Sequence, residues 1–122
     1  MKTFVIERSW RKDLEELPQL HSILKLYEEF GWGNGYVVLE STHPFFMLDY
    51  DEINSKIDFE LALTFSELIT SETISSFSKY LTEEDIGKYI IGFDTAHFGC
   101  SEYNTEEKLW ELTQELLKKC YE

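Results

Sequence analysis

The sequence feature that most constrains the fold is the apolar run from Tyr89 to Phe93, which is followed at once by Asp94-Thr95-Ala96-His97. An uninterrupted apolar run of this length, bounded by turn-forming residues, predicts a strand that is buried in a sheet. The polar residues directly after it are predicted to occupy a loop at the strand end. Side chains in such loops are held by a rigid scaffold and still reach solvent, which makes this loop a candidate functional site.

Length and composition favour a single domain. The chain has 122 residues, of which 43% are hydrophobic and 16% aromatic, and this is enough for one core and too few for two. We therefore expect one α+β domain over residues 1–122. No apolar stretch has the length of a membrane span, and residues 2–7 are too polar for a signal peptide. We expect a cytoplasmic protein without a membrane partner, in which Cys100 and Cys120 are reduced thiols.

Periodicity and turn signals predict the remaining elements. The most regular alternation of apolar and polar residues runs from Ile57 to Phe65 and predicts a strand with one apolar face. The glycine-rich segment 31–35 predicts a helix C-cap followed by a tight turn at Asn34-Gly35. Asn104 is predicted to cap the last helix. The predicted strands are 3–7, 36–40, 57–65 and 88–93, and the predicted helices are 9–30 (interrupted at Pro18), 71–81 and 104–120.

The order of these elements predicts an α+β fold. The clear alternation at 57–65 favours antiparallel pairing, because antiparallel sheets commonly have one face on the core and one face in solvent. We expect three or four mostly antiparallel strands, covered on one face by the N- and C-terminal helices.

The net charge of -13 limits the possible functions, and the charge is unevenly distributed along the chain. Between Leu26 and Glu107 the chain has 17 acidic and 3 basic residues, whereas the rest is close to neutral. Such a charge disfavours direct binding of nucleic acid and favours fast association with a basic protein. The acidic surface is either the ordinary surface of a cytosolic protein or an imitation of a nucleic-acid backbone that occupies a basic groove. The side chains predicted to contact such a partner are Asp49, Asp51, Glu52, Glu83, Glu84, Asp85 and Trp32.

A second candidate site consists of His43, Asp94 and His97, which stand at the ends of predicted strands. Two imidazoles and a carboxylate are a sufficient ligand set for a divalent metal with open positions, and they are also able to support acid–base chemistry. The structural alternative is that Asp94 closes an Asx turn within its own loop and that His97 packs on Phe93 or Phe98. We expect no cofactor other than such a metal, and we favour a protein without catalytic activity.

Several short motifs occur together in the middle of the chain. They are Gly35-Tyr36-Val37, His43-Pro44, Tyr50, Leu63-Thr64-Phe65-Ser66 and Gly92-Phe93-Asp94-Thr95-Ala96-His97. In this combination the chain resembles a group of small proteins encoded by phages and prophages, and the last motif is the most specific. Members of that group often have His-Gly where this chain has Glu60-Leu61, and Asp where it has Cys100. The resemblance covers residues 35–100 and implies a phage-related origin without an established activity.

Charge and resemblance together lead to three hypotheses of function. The first, which we favour, is a small acidic phage-type protein that binds and inhibits a host nucleic-acid-directed defence protein, as an anti-CRISPR-like or DNA-mimic inhibitor in the host cytoplasm. The second is a small metal- or ligand-binding protein, extending to a hydrolase, that uses His43, Asp94 and His97. The third is an accessory protein whose acidic surface has no binding role.

Overall fold

The sheet has four strands, all antiparallel, in a computed structural model that describes residues 2–8, 30–96 and 99–122. The strands are β1 (Lys2–Glu7), β2 (Gly33–Leu39), β3 (Phe65–Leu68) and β4 (Tyr89–Phe93), in the spatial order β1-β2-β4-β3. The helices are α1 (Tyr50–Asn54), α2 (Ser71–Ser76) and α3 (Glu106–Cys120), with 3-10 turns at Glu83–Asp85 and Ser101–Tyr103. The predicted α+β class is confirmed, whereas the helix predicted at 9–30 lies almost entirely outside the described residues.

The central strand β4 is the one that the apolar run predicts. It pairs with β2 along one edge and with β3 along the other, and all five of its residues are buried. The pairing joins Gly35 to Phe93 and Leu39 to Tyr89. The start of β2 therefore lies beside the end of β4, and this register decides which loops can meet at each end of the sheet.

Helix α3 covers one face of the sheet, against β1 and β2. Its buried positions recur at three- and four-residue spacing, as expected for an amphipathic helix, and are Leu109, Leu112, Thr113, Leu116 and Cys120. The N-cap is Thr105, whose Oγ1 accepts a hydrogen bond from the backbone N–H of Lys108 at 3.2 Å. The predicted cap, Asn104, is one residue too early, because a cap needs extended backbone and Asn104 has φ -86° and ψ 6°.

The opposite face of the sheet carries a second core, so the expectation of one covered face is wrong. Its buried apolar residues are Phe4, Tyr36, Val38, Ile69, Leu81 and Ile90. The predicted helix 71–81 ends at Ser76, and the turn after it lays aromatic rings over these residues. Tyr80 stacks on Phe4 with ring centroids 4.5 Å apart, and Phe77 meets Tyr36 edge-on at 5.1 Å. These rings make the segment after α2 a covering layer.

Residues 57–64 form an extended segment, which corrects the strand predicted there. Burial alternates along it as predicted, with the apolar side chains packed against the main core. Among the described residues, its backbone joins the sheet only at Thr64, whose N–H donates to the Gly92 carbonyl at 3.0 Å. The side chain of Asn54 substitutes for a neighbouring strand, because it donates to the Leu63 carbonyl at 3.1 Å and accepts from the Leu63 N–H at 2.8 Å. Periodicity therefore identifies the buried side chains but not their hydrogen-bonding partner.

The glycine-rich segment starts β2 and does not form the predicted tight turn. Residues 33–35 pair with residues 5–7 of β1 in antiparallel register. A Cβ atom at Gly35 would lie 2.3 Å from Oγ1 of Thr113, so α3 packs directly on the strand backbone at this position. Long-range pairing and close helix packing explain these glycines.

Candidate functional site

Asp94 begins the loop after β4, where its side chain closes an Asx turn. Its Oδ1 accepts a hydrogen bond from the backbone N–H of Ala96 at 3.0 Å. The next residue, Thr95, is completely buried, and its hydroxyl donates to the Gly33 carbonyl at 2.6 Å. Nη2 of Arg8 donates to the same hydroxyl oxygen at 3.0 Å. The structural alternative for Asp94 is therefore confirmed, and the loop is held firmly to the start of β2.

His43 lies in the turn after β2 and is 8% exposed. Its Nδ1 accepts from the backbone N–H of Phe45 at 3.0 Å, which places the proton of the neutral ring on Nε2. Nε2 then donates to the Cys120 carbonyl at 2.8 Å. With both ring nitrogens engaged, His43 joins this turn to the end of α3 and offers no lone pair to a metal.

The register of the sheet keeps His43 and Asp94 apart, which corrects the predicted metal site. Because β2 and β4 are antiparallel, the loops that follow them leave the sheet at opposite ends. His97, the third predicted ligand, lies outside the described residues. Within the described ranges, no group of three or more His, Cys, Asp or Glu side chains is placed to hold a metal ion. His43 and Asp94 therefore serve separate turns.

Two residues of β2 that were not predicted as site residues lie near Asp94. Asn34 and Tyr36 are two apart on a strand and share a face, and Nδ2 of Asn34 donates to the Tyr36 hydroxyl oxygen at 3.2 Å. Burial raises the pKa of Tyr36, the hydrogen bond from Asn34 opposes this, and the charge of Asp94 raises the pKa further. The two-residue spacing of Asn34 and Tyr36 was the available signal that they share one face of a strand. The turn predicted at Asn34-Gly35 is incompatible with that strand, so the signal was not used.

The predicted partner-binding carboxylates fall into two groups, and the first is on α1. Asp49 is the N-cap of this helix, with Oδ1 accepting from the Tyr50 N–H at 2.9 Å. Asp51 and Glu52 follow in the first turn. All three acidic residues are exposed, and none of them forms an ion pair with a cation in the described part of the chain. Their charges are therefore available to a partner.

The second group, in the 3-10 turn after Thr82, divides into exposed and buried members. Glu83 and Glu84 are exposed and, among the described residues, unpaired. Asp85 is only 3% exposed, and its carboxylate lies 2.5 Å from Nζ of Lys2 and 3.6 Å from Nζ of Lys88. A partner cannot reach it, so its predicted binding role is wrong.

Asp85 is instead a structural carboxylate. It accepts a hydrogen bond from the Thr82 N–H at 2.9 Å, while Lys2 also donates to the Tyr80 carbonyl at 2.8 Å. Burial acts to raise the pKa of Asp85, but the hydrogen bonds from Lys2 and Thr82 and the charges of Lys2 and Lys88 outweigh it and lower the pKa. The ionised form therefore ties β1 to the 80–85 segment.

Trp32, the predicted aromatic anchor, is half-buried against the main core. Its backbone N–H donates to the Tyr103 carbonyl at 2.8 Å, and its carbonyl accepts from the Arg8 N–H at 3.0 Å. The backbone of Trp32 therefore joins the start of β2 to Arg8 and to Tyr103. A different tryptophan, Trp110 on α3, is 42% exposed. Its spacing from the leucines of the helix does not show how far the indole projects from the core.

A further group of acidic side chains surrounds Tyr103. The phenol of Tyr103 donates to a carboxylate oxygen of Glu60, which fastens the extended segment 57–64 to the turn before α3. Burial raises the pKa of Tyr103, and Glu60 and Glu102 raise it further. Together with Glu111 and Glu115, these residues line a shallow concavity in which Lys108 is the cation among the lining residues. The group extends the acidic surface beyond the residues that were predicted.

Cys100 and Cys120 are both buried, and neither is part of a disulfide. Burial raises the pKa of Cys120 to about 12, so its nucleophilic thiolate is scarce at neutral pH. Cys120 therefore acts as a packing group.

Comparison with known proteins adds no identity to these observations. No protein-family model, no curated protein and no solved structure matches the chain. Across residues 2–8, 30–96 and 99–122, no helix has the length and apolarity needed to cross a bilayer. The functional conclusion therefore depends on the surface of the molecule itself.

Proposed function

We propose that this chain is an interaction protein that binds a basic protein through its exposed carboxylates. In line with its resemblance to phage-encoded proteins, we propose that it is a phage-type inhibitor of a host nucleic-acid-directed defence protein, acting in the host cytoplasm. The observation that carries the proposal is that Asp49, Asp51, Glu52, Glu83 and Glu84 are all exposed and lack a partner cation among the described residues.

The two groups of carboxylates border the same part of the sheet. The Tyr89 hydroxyl at the start of β4 donates to the carbonyl of Leu48, immediately before Asp49, at 2.6 Å. Asp85, which follows Glu84, pairs with Lys88 just before the same strand. Both groups are therefore anchored at the end of the sheet where β4 begins. Helix α1 packs through Ile53 on the core that α3 covers, and the 83–84 turn follows Leu81 of the opposite core.

Unpaired carboxylates repel one another, and this repulsion is relieved when a basic partner binds. Opposite charge also steers the encounter and speeds association. Basic grooves that bind nucleic acid are complementary to such a surface because they evolved to neutralise phosphates. The protein would then exclude nucleic acid from the groove by occupying it.

A competition assay tests the proposal. We expect the chain to displace a fluorescently labelled DNA duplex from at least one member of a panel of purified bacterial nucleases. The triple variant Asp51→Asn, Glu83→Gln, Glu84→Gln should compete about five- to thirtyfold less well, since several surface charge pairs together contribute about 1–2 kcal/mol.

The matched control is Asp58→Asn, Glu67→Gln, Glu72→Gln, which changes the charge equally at exposed positions that belong to neither carboxylate group. It should compete within about twofold of the wild type. Equal losses in both variants would mean that total charge matters and not this surface. A chain that displaces DNA from no nuclease in the panel would overturn the proposed function.

A further inference from the structure

Trp110 lies on the side of α3 that borders β1. The same side of the helix contacts the strand through Gln114, whose Nε2 donates to Oγ1 of Thr3 at 2.9 Å. Between the helix and the strand is an open concavity of about 600 Å³, and the residues lining it are Val5, Thr105, Glu106, Glu107 and Trp110. The indole therefore forms one wall of a surface concavity and is not part of the core.

The exposure of Trp110 is unusual for an apolar residue on this helix. The buried face of α3 is already complete without it, and Trp110 keeps 42% of its surface in contact with solvent. Exposed large aromatic side chains are costly in water and are enriched at the centres of protein interfaces. Val5, which is nearly buried, adds an apolar floor beside the indole.

The charge around the indole indicates what the concavity can hold. Glu106 and Glu107 precede Trp110 by four and three residues, so they lie next to it on the helix surface. Both are exposed, and in the described chain neither is paired with a cation. Acidic residues in a first turn also stabilise the helix dipole, but that role does not account for an exposed tryptophan beside them.

We propose that Trp110, Glu106 and Glu107 receive an arginine side chain from a basic segment of the protein partner. The planar guanidinium stacks on the indole, where the cation–π attraction is strongest for tryptophan, and hydrogen-bonds the two carboxylates. The aliphatic part of the arginine packs on Val5. This inference rests on the proposed function, since it names the anchor point of the same acidic protein on its basic partner.

Calorimetric titration of the full chain with a peptide of alternating arginine and glycine tests the inference. The wild type should bind this peptide about fivefold more tightly than the same peptide with lysine, because guanidinium stacks better on the indole. Trp110→Ala should lose about fivefold in affinity for the arginine peptide and should lose the preference over lysine. Trp110→Phe should fall between the two. Ile86→Ala, at another exposed apolar residue, should stay within about twofold of the wild type.

Circular dichroism of each variant shows whether it folds, and Trp110→Phe keeps the test valid if Trp110→Ala does not. The inference is overturned if the folded Trp110 variants bind both peptides as the wild type does. That result would leave the proposed function intact, because the competition assay uses the carboxylates of α1 and of the 83–84 turn. Failure of the competition assay would instead overturn the proposed function, and a clear effect of Trp110 on binding of the arginine peptide would still demonstrate the stacking contact itself.

Discussion

Replacing Gly33 by alanine is expected to destabilise the protein by at least about 3 kcal/mol, a large part of the total stability of a small domain. A Cβ atom at this position would lie 1.8 Å from the carbonyl oxygen of Ile6 and 2.8 Å from its carbonyl carbon. Both are backbone atoms of β1, so no side-chain rotation can relieve the overlap. The strand pairing itself must open. Urea unfolding followed by circular dichroism measures the loss.

The matched control is Gly87→Ala, which separates a clash from backbone strain. Gly87 has a φ of +90°, but a Cβ atom there would meet nothing within 4 Å. Its replacement should therefore cost only about 1–2 kcal/mol, the usual penalty for a left-handed residue with a side chain. If the Gly33→Ala variant is no less stable than the Gly87→Ala variant, the pairing of β1 with β2 is wrong.

Replacing Asp85 by asparagine should cost about 2 kcal/mol at neutral pH, because it leaves Lys2 and Lys88 without their shared carboxylate. This expected loss of stability is smaller than is usual for a fully buried ion pair, because the side chain of Lys2 is 35% exposed. The exposed neighbour provides the control, and Glu84→Gln should change the free energy of unfolding by less than about 0.5 kcal/mol.

The contribution of Asp85 should also depend on pH in a defined direction. Its pKa in the folded protein is lowered, so folding favours the ionised carboxylate. The stabilisation is therefore fully present above the pKa of an unfolded aspartate, about 3.9, and is lost as the pH falls through the lower folded value. The difference between the wild type and Asp85→Asn should be constant from about pH 5 to pH 8 and should shrink in stronger acid. A variant as stable as the wild type at neutral pH would contradict the structural role.

The elements that local pattern determines could be predicted from the sequence. The apolar run at Tyr89–Phe93 and the leucine spacing of α3 are strong local signals, and the structure confirms both. The Asx turn at Asp94 was also a prediction from local chemistry. Such features depend on hydrogen bonds or packing that neighbouring residues specify.

The features that long-range pairing determines could not be predicted. Glu83, Glu84 and Asp85 form one acidic run, and only Asp85 is buried, because Lys2 reaches it from 83 positions away along the chain. His43 and Asp94 both stand at strand ends, but only the antiparallel register shows that these ends are opposite. Nothing local distinguishes a partner-facing carboxylate from one that is already neutralised.

The two tryptophans illustrate the same limit. Trp32 sits in a glycine-rich segment, which favours exposure, whereas Trp110 sits in an amphipathic helix, which favours packing. The strand pairing of 33–35 draws Trp32 against the core, and the placement of α3 beside β1 leaves Trp110 projecting from it. The sequence pattern located both elements, but it did not show which of the two tryptophan side chains faces solvent.

The central claim is that exposed and unpaired carboxylates form the binding surface. The salt dependence of the affinity for the partner tests this claim most directly. The measurement is the dissociation constant for the nuclease found by competition, between about 0.05 M and about 0.3 M NaCl. The affinity of the wild type should fall by at least about tenfold over this range, and the Asp51, Glu83 and Glu84 triple variant should show a clearly shallower dependence. An affinity that does not change with salt, or an equal dependence in the wild type and the triple variant, would contradict the account.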